Sequence, residues 1–207
     1  MNLRDKTVNF LGDSITFGYN ATKTENIYHS ILRQELMLKE ARNYGVGGTR
    51  IARQKSGDYL EDFSMRAERM NQADMVIIFG GTNDFGHGNA KMGQFTDSTN
   101  YSFFGALHAL IGYLLKHYKK EQIIFVTPIT RKDANVLNES NNLKLSDYVN
   151  AIKCVTQYYK ISTLDLYDAS LRRDNFIQEL LSEDGLHPND KGHRFIADNI
   201  RNFLVSL

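Results

Sequence analysis

A serine hydroxyl attacks an acyl group only beside a base, and a histidine serves as that base only when a third group fixes its tautomer and offsets the charge it gains. In this 207-residue chain the residues that could meet those needs lie at opposite ends. Gly12-Asp13-Ser14 follows the apolar run Val8–Leu11 and leads into Ile15-Thr16-Phe17-Gly18. Ser14 therefore stands where a strand gives way to a helical start, with its Oγ at the rim of a sheet; the same residues also suit an ordinary turn or N-cap. Far downstream, Asp184-Gly185-Leu186-His187-Pro188 sets a carboxylate and an imidazole three residues apart. Asp-Gly and His-Pro are both turn-favouring pairs, so a bent surface loop is the plain alternative. His29, His108, His117 and His193 fall within helical patterns, where a packed or solvated role is expected, and His87 falls in a loop.

Acyl transfer also needs hydrogen-bond donors aimed at the developing oxyanion, each contributing ~3 kcal/mol to the transition state. Two segments offer them: Asn43-Tyr44-Gly45-Val46-Gly47-Gly48 and Gly80-Gly81-Thr82-Asn83-Asp84. Gly47 permits close approach of backbone N–H groups to a substrate, and Asn83 supplies a neutral amide. Taken singly, these are equally at home in strand-ending turns.

Four apolar, β-branched or aromatic-rich runs must hold these groups: Val8–Leu11, Met75–Phe79, Ile123–Val126 and Ile161–Leu166. Their continuity predicts strands buried on both faces. A fifth, shorter strand is expected over Arg42–Val46. Between them Ile27–Lys39, Phe103–His117, Leu143–Tyr159 and Lys191–Leu207 carry apolar residues at helical spacing. Alternating strands and helices imply a mainly parallel sheet covered on both faces. With no composition break, residues 1–207 read as a single domain. The polar stretches Asp84–Thr99 and Arg131–Asn142 each follow a predicted strand, which makes them candidate walls of the ligand crevice.

Taken in order, GDSI around Ser14, NYGVGG around Gly47, GGTND around Asn83 and DGLHP around His187 resemble the four blocks of the SGNH subgroup of the GDSL esterase/lipase family. Ile15 stands where that family usually has Leu. The resemblance spans Gly12 to Pro188 and implies an α/β fold: a three-layer α/β/α sandwich, flavodoxin-like, with a five-stranded parallel sheet. It implies Ser14 as nucleophile, His187 as general base and then acid, and Asp184 as the orienting carboxylate. The backbone N–H groups of Ser14 and Gly47 with the Asn83 amide would form the oxyanion hole. The implied reaction is ester hydrolysis through an acyl-enzyme, with no metal or organic cofactor.

Substrate class has a weaker signature. Phe85, His87, Phe95, Tyr101, Phe103 and Phe104 are interleaved with amide and hydroxyl side chains, which suits a sugar ring or the start of a core helix equally. TDSTNYSFFGALHAL also resembles bacterial GDSL proteins grouped with carbohydrate esterases. The expected substrate is a small acyl ester, an acetyl ester on a carbohydrate first, with lysophospholipase- or thioesterase-like acylhydrolysis as the alternative. Two other classes remain open: a metallophosphoesterase built from Asp13, Asn83, Asp84 and His187, and a silent glycan- or nucleotide-binding module. A formal charge of +1 with both signs spread along the chain argues against nucleic acid as a partner. No stretch reaches the ~18 apolar residues of a membrane span and no signal-peptide pattern opens the sequence. A cytoplasmic protein is the resulting expectation. Cys154, the single cysteine, is expected as a small packed side chain on a helix.

Overall fold

The computed structural model describes residues 1–54, 61–87 and 90–207. Five strands, β1 (Thr7–Gly12), β2 (Glu40–Gly45), β3 (Met75–Phe79), β4 (Ile123–Val126) and β5 (Ser162–Leu164), form one sheet in the order β2-β1-β3-β4-β5. Every neighbouring pair is parallel, with Phe10 opposite both Asn43 and Ile77. The three central strands, β1, β3 and β4, are buried throughout and mostly apolar because both faces are covered, while the edge strands β2 and β5 are polar and partly exposed; successive residues of the central strands divide between two cores. Val8, Phe10, Ile77, Phe79, Ile124 and Val126 pack on one side; Leu11, Val76, Ile78, Ile123 and Phe125 pack on the other.

The first core is closed by α2 (Tyr28–Glu35), α8 (Phe176–Leu180) and α9 (Asp190–Ser206), through Leu32, Phe176, Ile196 and Ile200. The second is closed by α3 (Phe63–Ala67), α5 (Phe103–His117) and α6 (Leu145–Tyr159), through Phe63, Leu107, Ile111 and Ile152. The short helices α1 (Ser14–Phe17), α4 (Thr82–His87) and α7 (Leu166–Leu171) start just beyond strands β1, β3 and β5. This is the three-layer α/β/α architecture and five-strand count that the sequence leads one to expect.

The differences are local and have local causes. The last strand is only Ser162–Leu164, because Asp165 accepts a hydrogen bond from Asp168 N at 3.1 Å and caps α7 there. Helix α2 stops at Glu35 rather than Lys39, since Met37 takes a left-handed conformation at φ 51°. Cys154 is exposed, contrary to expectation: the buried stripe of α6 runs through Tyr148, Val149, Ile152, Val155 and Thr156. Position 154 lies about 200° around the helix from Ile152, on the far face. Among the described residues no helix is long and apolar enough to cross a membrane.

Where the sheet order reverses, β1 has β2 on one side and β3 on the other. At such a reversal the connections leave the two strands in opposite directions, and open α/β sheets place their ligand crevice at the carboxyl ends there. Ser14 sits at the end of β1 and Asn83 at the end of β3.

Candidate active site

Ser14 is the first residue of α1. Asp13 caps that helix by accepting from Ile15 N at 3.0 Å, so the turn-and-cap reading of this tripeptide is correct for Asp13 and leaves the Ser14 side chain free for another partner. Gly12 is required by the turn: a Cβ there would strike the Thr16 side chain and lie 2.9 Å from the Phe79 carbonyl oxygen.

His187 reaches Ser14 from the other end of the chain. Its loop is closed by an antiparallel bridge between Leu181 and Pro188 and by Ser182 N donating to the His187 carbonyl at 2.8 Å. Within it Gly185 adopts φ 66°, and Asp184 Oδ1 accepts from Leu186 N and His187 N, both at 2.9 Å. The carboxylate thus shapes the turn with one oxygen. The other oxygen, Oδ2, lies 2.7 Å from His187 Nδ1, and His187 Nε2 lies 2.9 Å from Ser14 Oγ. An ionised carboxylate only accepts, so Nδ1 carries the proton, and in the neutral imidazole Nε2 is then the acceptor for the serine hydroxyl. Burial works against the Asp184 charge, but hydrogen bonds from His187 and the two backbone N–H groups outweigh it and hold the carboxyl below its ordinary range.

The segments around Gly47 and Asn83 follow β2 and β3, the two neighbours of β1. A Cβ added at Gly47 would stand 3.9 Å from Ser14 Cβ, so the glycine leaves that space open beside the hydroxyl. Asn83 is buried, and its Nδ2 donates to the Thr49 carbonyl at 3.0 Å. That bond uses one of the two amide hydrogens and fixes the amide plane. Asp84 sits one residue on, fully buried, accepting from Ile51 N at 3.0 Å and Ala52 N at 2.9 Å. Burial raises the Asp84 carboxyl to about 6 despite those bonds, and raises Asp13 to about 7 against the pull of Ile15 N–H and Arg66.

This geometry gives the four groups of the metal-site reading other partners. Asp84 accepts backbone N–H groups at both oxygens and Asp13 at one, Asn83 Nδ2 donates to the Thr49 carbonyl, and His187 Nε2 is engaged with Ser14. No group of His, Cys, Asp and Glu suited to a metal ion occurs among the described residues.

The sequence profile of the GDSL-like lipase/acylhydrolase family matches residues 10–195. The chain belongs to that family. Among solved structures, a Lactobacillus plantarum protein is 29% identical, with a TM-score of 0.83 over 98% of each chain. The lipase/acylhydrolase from Enterococcus faecalis is 20% identical, with a TM-score of 0.68 over 98% of this chain and 97% of that one. An acetyl xylan esterase is 22% identical, with a TM-score of 0.70 over 95% of this chain and 98% of that one. At these identities the last two share the fold. A comparison with curated protein sequences gives no match.

Within this family member the aromatic residues sort differently from the sequence expectation. Phe85 and Phe103 are in the core, and Phe95 packs at 5.0 Å against His108 and at 5.4 Å against Tyr158. The rings beside the reactive pair are Phe17 and Tyr19, 56% and 53% exposed; Tyr19 lies 5.1 Å from the His187 ring. From the two polar stretches, Phe85, Gly86 and His87 face Asp133 and residues 136–140 across a cleft of about 340 Å³, but Ser14, Gly47, Asn83, Asp184 and His187 are not among its lining residues, so this cleft is not the expected crevice at the reactive pair. Residues 88 and 89 of the first stretch lie outside the described residues.

Sequence reasoning did not single out Asn20, whose Nδ2 donates to Asp184 Oδ2 at 3.2 Å, or Tyr19, Thr49 and Arg66. Nothing local marks them. Asn20 meets Asp184 across 164 positions of sequence.

Proposed function

We propose that the protein is a serine esterase that removes a small acyl group, an acetyl group from a carbohydrate first, through an acyl-enzyme intermediate. The observation that carries this reading is the chain of hydrogen bonds from Ser14 Oγ to His187 Nε2 at 2.9 Å and from His187 Nδ1 to Asp184 Oδ2 at 2.7 Å. In the proposed mechanism Ser14 Oγ attacks the ester carbonyl carbon while its proton passes to His187 Nε2. Asp184 offsets the charge of the imidazolium. The carbonyl oxygen, now anionic, accepts from the N–H groups of Ser14 and Gly47 and from the Asn83 amide. Collapse breaks the ester C–O bond and the leaving alkoxide takes the proton from Nε2. A water molecule then repeats the sequence on the acyl-enzyme and frees Ser14.

Two observations support a carbohydrate ester over a long-chain lipid. The exposed rings of Phe17 and Tyr19 stand beside polar side chains, Asn20, Asn43 and Asp184, at the same rim, a mixture that suits the faces and hydroxyls of a sugar. One structural neighbour is an acetyl xylan esterase. The groups used here need no cofactor.

The test is the intact mass of the protein after a fluorophosphonate probe, beside Ser14→Ala. The expected result is one adduct that the substitution abolishes, followed by faster turnover of acetylated xylosides than of lysophospholipid or acyl-thioester substrates. Folded protein that stays unlabelled would overturn the esterase reading in favour of a binding module. Labelled protein that prefers long acyl chains would overturn only the substrate.

A further inference from the structure

Arg66 is the last basic residue of α3, yet its guanidinium is buried. Nη1 donates to the Gly12 carbonyl at 2.9 Å and to the Tyr44 carbonyl at 2.6 Å; Nη2 donates to Thr49 Oγ1 at 2.9 Å. Each partner belongs to a different part of the donor half of the site. Gly12 is the end of β1, two residues before Ser14. Tyr44 is near the end of β2, three residues before Gly47. Thr49 holds the Gly47 loop from beyond, through Oγ1 donating to the Val46 carbonyl at 2.7 Å, and its own carbonyl fixes the Asn83 amide.

A cation so placed is a poor choice for stability alone. Burial lowers the Arg66 value to about 10, the direction expected when a charge is kept out of water. The carboxylates nearest in charge are engaged elsewhere: Asp62 by Arg53 and Glu61 by Arg69, both at 2.6 Å, and Asp13 by Ile15 N. Carbonyl oxygens and one hydroxyl are its hydrogen-bond partners, with the Phe63 ring 4.6 Å away. A planar fork with donors in fixed directions can tie three segments at set separations; an ammonium cannot.

We propose that Arg66 is a positioning residue for the oxyanion-binding half of the site: it locks the end of β1, the Gly47 loop and, through Thr49, the Asn83 amide into one rigid donor array. The inference rests on the esterase reading and adds a residue to it that touches neither substrate nor His187. Its effect falls on the transition state, because the array is used fully only when the carbonyl oxygen is anionic. Misplacing donors by a fraction of an ångström then lowers kcat while substrate affinity changes little.

The experiment compares wild type, Arg66→Lys, Thr49→Val and the double variant on one acetyl ester, with active sites counted by fluorophosphonate titration. Inhibition by a trifluoromethyl ketone, which forms a tetrahedral oxyanion on an activated serine, is measured alongside. Arg66→Lys should lower kcat per titrated site about 10–100-fold, with KM within about 3-fold. The ketone should weaken by the same factor as kcat falls. Thr49→Val should act in the same direction by about 3–10-fold, and the double variant should lose clearly less than the product of the two single losses, because both act through one array; full multiplicativity would overturn the shared array. A merely structural arginine would lower the number of titratable sites or the melting temperature and leave kcat per site and ketone affinity unchanged; that result, or a change confined to KM, overturns the proposal. Thr49→Val carries the same test if Arg66→Lys does not fold. Failure of wild type to titrate would overturn the esterase reading and this inference together, whereas titration with unchanged kcat would overturn this inference alone.

Discussion

The two halves of the site are built on opposite principles. Asp184 and His187 lie on a loop at the surface, with the Asp184 side chain 42% exposed, and they are joined by a carboxylate that both shapes the turn and orients the ring. On the other side Asp84, Arg66, Thr49 and Asn83 are all buried and tied to backbone groups. Asp184 keeps this half in contact with water, and the His187 ring proposed to gain and lose the proton, 15% exposed, is held between Asp184 and Ser14. Donors that must be aimed in advance gain from a dry, rigid setting, which is what the buried half supplies. The histidines repeat the contrast. His187 is hydrogen-bonded at both ring nitrogens, while His29 and His193 are sealed between α2 and α9 and held to about 4 by burial.

That contrast can be broken at several points. The largest effect should come from the open half: His187→Ala should lower kcat by about 10⁵–10⁶-fold. Asn83→Ala should cost about 10²–10³-fold in kcat with a small change in KM. Steady-state kinetics on the same ester checks both, and equal losses would mean that the two halves do not divide proton transfer from oxyanion stabilisation.

Next comes the dependence of stability on pH. His29 and His193 have folded values near 4 against an ordinary 6.5, so below pH 6.5 the unfolded chain takes up protons first. Their contribution is complete above pH 6.5 and falls by about 3 kcal/mol per imidazole on the way to pH 4. Asp13 and Asp84 have folded values raised to about 7 and 6 from 3.8, which gives the opposite sign: their contribution is present at low pH and is lost as pH rises through that interval. Denaturant unfolding of His193→Gln beside wild type should show the variant gaining on wild type as pH falls from 6.5 to 4. Parallel curves would show that the buried imidazole does not govern acid stability.

Smaller effects sharpen the comparison. Asp84→Ala removes the acceptor of two buried N–H groups, Ile51 and Ala52, and should cost about 2–3 kcal/mol, read as a lower denaturant midpoint. Asn20→Ala removes one exposed hydrogen bond to Asp184 and should change kcat only a few-fold, or about 0.5–1 kcal/mol. A large loss there would place Asp184 in the rigid half.

What could be read along the chain were features with a local signature. Continuous apolar runs located β1, β3 and β4, because a strand covered on both faces needs no polar side chain; the exception, Asn9, is buried and bonds to Asn71 O and Tyr118 Oη. Ser14, Gly47, Asn83, Asp184 and His187 were legible because turn chemistry and ordered motifs set them apart, and the hydrogen bond between His187 and Ser14 joins two of those motifs across 173 positions. The termination of β5 and the outward face of Cys154 depended on a single cap and on which helical stripe met the core. Arg66 and Asn20 could not be foreseen, since one arginine or asparagine in a helix or turn resembles any other until the chain folds. Their roles arise from contacts 54 and 164 positions away, and only the packed structure determines which carbonyl or carboxylate lies at the end of a long side chain.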